Sequence, residues 1–501
     1  MIRVSCNDVI KKQPNFWSHI HFHPTDAIED DWGRRILDEV AREGAAQTVR
    51  MYAMLEDIVS MDENGNLQFD YSECDARIDY MLSKGFNLLL SYNFIPKCIA
   101  IDPNEGTSNA KNKLRYKGKT ICASPPKDYA LWEEICYQFT KHIVERYGEE
   151  EVAKWYLQCF NEPDIPNYFM KHEKDPYVRV GEYLKLYRGF SNGICRVSKH
   201  LKAGGPALAH NLTFLSEFLR AVTDEGLKFD FYSGHSYGTS PAAINDAGRG
   251  KFNVGNNISI IERQFRVLKD MGIETEMIFD EWGASTSGFY NREECPQLMM
   301  REDSRFAAYY GKLLTRLTSS IVPISKLMIC LSGQHEMVTD FSGFRNFFTL
   351  NFFKKPIYNA YVLASKLHEN VVQNENDHNG LEMMATKDDA GNMSLLLSYA
   401  SEFFDKPMPN ISDNICLEGV SGKYDITVWC IDETHTNPYP RMLREGMQED
   451  KLSTEEIAIL REEGQLKPLC RQKVSAKGSV NADLCFTNNA LVLVELTKTE
   501  E

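Results

Sequence analysis

The sequence predicts an α/β protein: a (β/α)8 TIM barrel with a C-terminal β-sandwich accessory domain. Three observations predict it. From Phe16 to about Glu369, short apolar runs alternate eight times with longer runs of helical period. From Asn370 onward the runs become alternating or β-branched, separated by Asp, Gly and Asn turns. With 501 residues the chain also exceeds one small domain. The expected division is a catalytic barrel over 14–369 and a sandwich over 370–501, which residues 1–13 join through the short run Ile2-Arg3-Val4.

The strand-like runs are Phe16–His21, Gln47–Met54, Phe86–Tyr92, Trp155–Phe160, Leu201–Gly204, Phe229–His235, Glu276–Asp280 and Leu327–Leu331. Between them lie helix-period stretches such as Tyr71–Leu82, Tyr129–Tyr147, Val180–Ser198, Ile258–Met271 and Arg305–Thr318. No GxGxxG or Walker-type loop follows an early strand, which argues against a nucleotide fold. The sandwich runs are Leu381–Ala385, Met393–Tyr399, Tyr424–Ile431 and Ala490–Leu496. A helix over Ser453–Glu463 interrupts them, opened by a capping box of Ser453 and Glu456.

Bulk properties narrow the function. A formal net charge of −15 excludes partners that need a basic face, so neither nucleic acid nor an anionic membrane is expected. No apolar run reaches spanning length, and no signal-like core follows Met1. The 13 cysteines lack CxxC spacing, and several sit in apolar runs, which fits a reducing compartment. The expected location is cytoplasmic, or periplasmic if a leader was trimmed. The sandwich and its helix offer surfaces for homo-oligomer assembly.

Two stretches carry chemistry. Trp155-Tyr156-Leu157-Gln158-Cys159-Phe160 ends abruptly in Asn161-Glu162-Pro163-Asp164, and Pro163 stops the strand. A carboxylate there stands at the mouth of a barrel, where active sites form. Met277-Ile278-Phe279-Asp280-Glu281-Trp282 repeats the pattern at the seventh strand. Strands four and seven face one another, so Glu162 and Glu281 can converge. Carboxyl groups about 5–5.5 Å apart define a retaining glycosidase, one acting as nucleophile and the other as acid and then base. Arg50, ending strand two, supplies a cation for the ionised partner. Alternation along a strand lets only one of Asp280 and Glu281 point inward. Trp282, beside Glu281, is the expected sugar-stacking aromatic, whereas Trp17, Trp132 and Trp155 read as core. No cofactor or metal is required.

Phe160-Asn161-Glu162-Pro163 and Asp280-Glu281-Trp282 resemble the acid/base and nucleophile motifs of clan A glycoside hydrolases. The wider match is to family 39, the β-xylosidases and α-L-iduronidases, and is nearest the β-xylosidases. It includes Tyr71 through Pro96, Pro125-Pro126-Lys127-Asp128-Tyr129 with Trp132, Glu145-Arg146-Tyr147-Gly148, His235-Ser236-Tyr237, Lys355-Pro356-Ile357-Tyr358-Asn359-Ala360 and the helical insertion after Asn437. The resemblance covers nearly the whole chain. It implies Glu162 as acid/base, Glu281 as nucleophile and Asn161 on the sugar 2-hydroxyl. It also implies that His235 and Tyr237 line the glycone pocket and that Glu336 grips sugar hydroxyls.

Departures fall on the pocket wall. A family His is Tyr52 here, a Trp before the Asn is Phe160, and the run after strand eight reads Met328-Ile329-Cys330-Leu331-Ser332-Gly333 in place of Tyr-Trp-Thr-Phe-Ser-Asp. The resemblance implies that an iduronidase carries a Lys or Arg just after the sixth strand's His. Here Ser236-Tyr237-Gly238-Thr239-Ser240 follows, and Arg249 and Lys251 come only later. An unpaired buried carboxylate is costly, so terminal β-linked xylose on an oligosaccharide or glycoside is the expected substrate, even though Asp164 resembles the iduronidase-type motif. Alternatives are another glycone (α-L-arabinoside, β-galactoside, α-L-iduronide), a metal-dependent amidohydrolase using the His19/His21 pair, and a sugar-binding protein on a decayed barrel. The last would lack one carboxylate.

Overall fold

The computed structural model describes residues 2–22, 28, 30–106, 115–116, 119–239, 252–286, 288, 290–332 and 337–499. Eight parallel strands close into a barrel: His19–Phe22, Thr48–Tyr52, Asn87–Tyr92, Tyr156–Cys159, Lys202–Leu208, Phe231–Tyr237, Glu276–Gly283 and Ile324–Leu331. Each strand pairs with its sequence neighbour, and the eighth returns to the first through Cys330 opposite His21. The fold is therefore the expected TIM barrel.

Helix starts follow local chemistry. Asp128, Asp175, Asn211, Asn253 and Asp303 each cap the helix that follows by accepting a backbone N–H. Pro176 at the first turn starts the fourth-strand helix Pro176–Val197 earlier than its apolar period suggests, because Tyr177 and Val178 are exposed. The helix Tyr129–Tyr147 stops at Gly148, whose φ of +85° suits glycine. Strands six and seven outrun their apolar stretches. Ladder pairing continues from His235 opposite Glu281 to Tyr237 opposite Gly283, which fixes polar residues on rigid β structure.

Side chains fill the barrel in layers. Leu89, Tyr156, Phe231, Ile278 and Met328 form an apolar floor. A buried polar layer of Arg50, Gln158, Ser233 and Asp280 lies above it. The larger core lies between strands and helices and contains Trp17, Trp132 and Trp155.

The second sheet has seven strands. Ile2–Lys12 pairs antiparallel with Asn370–Glu375 and, through Ile2–Ser5, parallel with Ile415–Glu418 of the long strand Ile411–Ile431. That double pairing closes a circuit through Leu381–Lys387, Met393–Tyr399 and Ala490–Thr499, around its own core. Barrel helix Ser304–Ser319 forms the seam. Its Lys312 and Arg316 both pair with Glu382, and Ser398 donates to the Ala308 carbonyl at 2.7 Å. The inserted helix Thr454–Glu463 carries the expected capping box and turns back onto the barrel. There Arg461 donates to the Asn351 carbonyl, and Glu449 holds both Arg292 and the Phe341 N–H. Among the described residues no helix is long and apolar enough to cross a membrane.

The helices flanking the fourth strand touch at Gly189 and Gly193. A Cβ on Gly193 would lie 2.8 Å from the Tyr137 nitrogen and 2.9 Å from the Glu133 carbonyl oxygen, and neither backbone atom can yield alone. Gly193→Ala is expected to destabilise the protein by about 1–3 kcal/mol through overpacking, seen as a lowered thermal midpoint.

Candidate active site

Glu162 and Glu281 meet across the barrel mouth. One carboxylate oxygen of each lies, with a ring nitrogen of His235, in a set whose members are all within 4.8 Å of one another. Glu162 projects from a tight turn beyond strand four, where Phe160 (φ +68°) and Glu162 (φ +46°) both adopt the left-handed conformation. Two non-glycine residues in that region within three positions hold strain at the site. The turn is fixed by a bond from the Glu162 N–H to the Ala207 carbonyl. Asp164 reinforces it by accepting the N–H groups of Ala209, His210 and Asn211 at 2.8–2.9 Å. Its carboxylate therefore fastens the loop after strand five.

Arg50 is the hub. Its guanidinium donates to Glu281 Oε1 at 2.8 Å, to Asn161 Oδ1 at 2.8 Å and twice to Gln158 Oε1, and it lies 3.0 Å from Asp280 Oδ2. Gln158 in turn donates to Asp280 and to the Ser233 hydroxyl. Tyr237 donates to the other oxygen of Glu281 at 2.6 Å. Asn161 is thus locked by its oxygen, while its buried Nδ2 has no hydrogen-bond partner among the described residues.

These surroundings push the two carboxyl groups apart. Burial raises the pKa of Glu162, and the nearby charges of Glu281 and Asp164 add to it against the pull of His235. Burial also acts upward on Glu281, but His235, His21 and Arg50 outweigh it and hold the group well below the ordinary carboxylate range. For His235, burial is outweighed by Glu281, Asp280 and Glu162, which lift it to about 10. Its Nδ1 lies 2.8 Å from Glu162 Oε1. The surroundings therefore shift the two carboxyl groups in opposite directions, Glu162 upward and Glu281 downward.

Several expectations are corrected. Alternation allowed only one of Asp280 and Glu281 to face inward, yet both reach Arg50. The pairing of strand seven with strand six passes from Phe279 opposite Gly234 directly to Glu281 opposite His235, so Asp280 is the extra residue of a β-bulge. Trp282 does not stack on a sugar. It points into the helical layer, donates to the Tyr361 hydroxyl at 3.0 Å and stacks on Tyr310. Tyr52 is fully buried, with its ring against Arg50, His21 and Phe94. Glu336 lies outside the described residues.

The His19/His21 pair does not converge on a metal. His19 Nε2 faces the Asn15 carbonyl, whereas His21 joins Glu281 in the layer above. Burial, with Lys326 near His19 and Arg50 near His21, lowers their pKa values to about 3 and about 4.

Sequence reasoning missed Gln158, the inward role of Asp280, Cys330 and Arg345. Gln158 had a signal, as a lone amide in an apolar strand. Arg345 had none: it reaches the pocket from an irregular segment after strand eight. It is nearly fully buried, donates to the Ser332 hydroxyl at 3.0 Å, and sits over the Tyr237 ring at 5.1 Å.

The comparisons with known proteins agree with this architecture. A β-xylosidase of Caldicellulosiruptor saccharolyticus is 24% identical over 98% of this chain and 96% of its own. An α-L-iduronidase of Mus musculus is 21% identical over 63% of this chain and 47% of its own. The crystal structure of a monomeric β-xylosidase from Caulobacter crescentus CB15 superposes with a TM-score of 0.83 at 20% identity, covering 100% of this chain and 99% of that one. Residues 1–481 match the sequence model described as Glycosyl hydrolases family 39. Since that match spans the barrel, both carboxylates and most of the second sheet, the chain belongs to glycosyl hydrolase family 39 and is a glycosidase.

Proposed function

We propose that this enzyme is an exo-acting retaining glycosidase that releases terminal β-linked xylose from xylo-oligosaccharides or related glycosides. The observation that carries the reading is the convergence of Glu162 and Glu281 oxygens to within 4.8 Å. That proximity supports the short separation of a retaining pair, about 5–5.5 Å between carboxyl groups, over the about 6.5–9.5 Å of an inverting pair. The two named β-xylosidase relatives support the choice of xylose.

In this reading Glu281, kept ionised by Arg50 and oriented by Tyr237, attacks the anomeric carbon. Glu162 gives its proton to the departing oxygen, then takes one from water, and the sugar leaves with retained configuration. The open amide of Asn161 donates to the 2-hydroxyl, a contact that tightens as positive charge grows on the ring. Tyr52 acts through Arg50, by packing against its guanidinium. The chemistry belongs to residues 14–369; residues 370–501, with 1–13, form the supporting accessory domain.

A second reading rests on Arg345. This buried cation stands beside Tyr237, where the sequence showed none, and its Nη1 has no hydrogen-bond partner among the described residues. A guanidinium there suits the carboxylate of a uronide. Comparing aryl β-xyloside with aryl α-L-iduronide separates the two readings. Faster turnover of the iduronide, lost in Arg345→Ala, would decide for the second.

Glu281→Ala should abolish most turnover, by about 10⁴-fold or more as for loss of a nucleophile, and azide should restore it with inverted product. Normal turnover in that variant would remove the assignment. The pH profile gives a separate check. An acid works only while protonated, so its raised pKa carries activity to higher pH before the alkaline limb falls. A nucleophile works only while ionised, so the lowered pKa of Glu281 places the acid limb well below the ordinary glutamate value. With an activated aryl leaving group, Glu162→Gln should erase the alkaline limb of glycosylation and leave the acid limb in place.

A further inference from the structure

We propose that Lys355 and Glu302, a buried ion pair that the reaction above does not use, are positioning residues: they set the place of Arg345, and through it the charge beside the nucleophile. Both are almost entirely enclosed, and Lys355 Nζ lies 2.6 Å from Glu302 Oε1. The inference rests on Glu281 being the nucleophile and holds for either glycone.

Lys355 occupies its position against two penalties. It is the N-cap of helix Pro356–Ala364, where its side chain caps nothing, and a cation at a helix N-terminus opposes the helix dipole. Burial also penalises its charge and pulls its pKa down, as it pushes that of Glu302 up. An apolar pair of similar volume would hold the fold as well. What an apolar pair could not do is bond the chain beside it. Glu302 Oε1 accepts the Gly343 N–H at 2.7 Å, and Lys355 Nζ donates to the Phe344 carbonyl at 3.2 Å. Both bonds fall on the two residues directly before Arg345.

Residues 341–345 need such anchors because they belong to no strand. With no ladder to fix them, their backbone groups are taken by side chains, most of them charged. Arg301 donates to the Gly343 carbonyl and to that of Ser285 beyond strand seven, and Arg292 donates to the Phe341 carbonyl. Ser332, at the end of strand eight, holds Arg345 from the other side through its N–H and its hydroxyl. The fit is close, since a Cβ on Gly288 would collide with the Arg345 guanidinium. A shift of Gly343 and Phe344 therefore reaches that guanidinium, which stands over the ring of Tyr237, the hydroxyl donor to Glu281. Positive charge there favours the ionised form of Glu281. It adds to the effect of Arg50, His21 and His235 and opposes that of the nearby Glu162.

The test is a double replacement that leaves no lone charge. Lys355→Met with Glu302→Gln keeps an acceptor for the Gly343 N–H and drops the bond to Phe344. In the full-length protein, the crystal structure of this variant should show the Arg345 guanidinium displaced by about 1 Å or more, a misplacement that can cost about a hundred-fold in rate. For the aryl glycoside turned over fastest, kcat/KM should fall by about ten-fold or more. The acid limb of its pH profile should also move to higher pH, because Glu281 with less positive charge beside it ionises later. A role confined to stability would lower the thermal midpoint and leave that limb in place. Added to Arg345→Ala, the double replacement should cost less than about three-fold more, since both act through one guanidinium. If the variant fails to fold, Lys355→Gln with Glu302→Gln takes its place, the amide being shorter than lysine at Phe344. An unmoved Arg345, an unmoved acid limb or losses that multiply would overturn the positioning role. Failure of the nucleophile assignment shows separately, as normal turnover in Glu281→Ala.

Discussion

Everything at the mouth of this barrel depends on one buried guanidinium. Arg50 is completely enclosed, and a lone cation there would be prohibitively costly. Asp280 and Glu281 compensate it, and Gln158 and Asn161 occupy its remaining donors. The same contacts set the rotamer of Asn161, the ionisation of Glu281 and the orientation of Gln158. The two glutamates thus differ in proton affinity through their surroundings. Among the described residues Glu162 has a neighbouring imidazole but no paired guanidinium; Glu281 has Arg50, Tyr237 and two histidines.

The scaffold makes that precision possible. An apolar floor beneath the polar layer excludes water, and the ladder carries strands six and seven beyond their apolar runs. His235, Tyr237 and Glu281 therefore sit on regular β structure. Glu162 is the exception, held by a strained turn and by Asp164 beneath the neighbouring loop. The turn Glu449–Lys451, just before the inserted helix of the second sheet, reaches the segment that presents Arg345 through Glu449 and the Phe341 N–H, so the accessory region braces that segment.

Much of this was legible in the sequence, for physical reasons. A strand buried on both faces must be apolar, so an acid at its end stands out, and that singled out Glu162 and Glu281. Arg50 stood out likewise. Asx residues before helical runs marked the helix starts. Trp282 could have been placed by the same logic: if Glu281 faces inward, its neighbour faces the helices. The bulge at Asp280 was not legible, because it is a property of the register between strands. Arg345 was hidden for another reason: its position depends on the path of an irregular segment.

That bulge has an electrostatic corollary for the proposed reaction. When the nucleophile becomes an ester it loses its charge, and a cation paired with it alone would be stranded in a dry interior midway through the cycle. The extra residue in strand seven supplies a second, chemically idle carboxylate to the same guanidinium. In that proposed reaction the cation would stay neutralised through both half-reactions, and the covalent intermediate would be relieved of a penalty that a regular strand imposes.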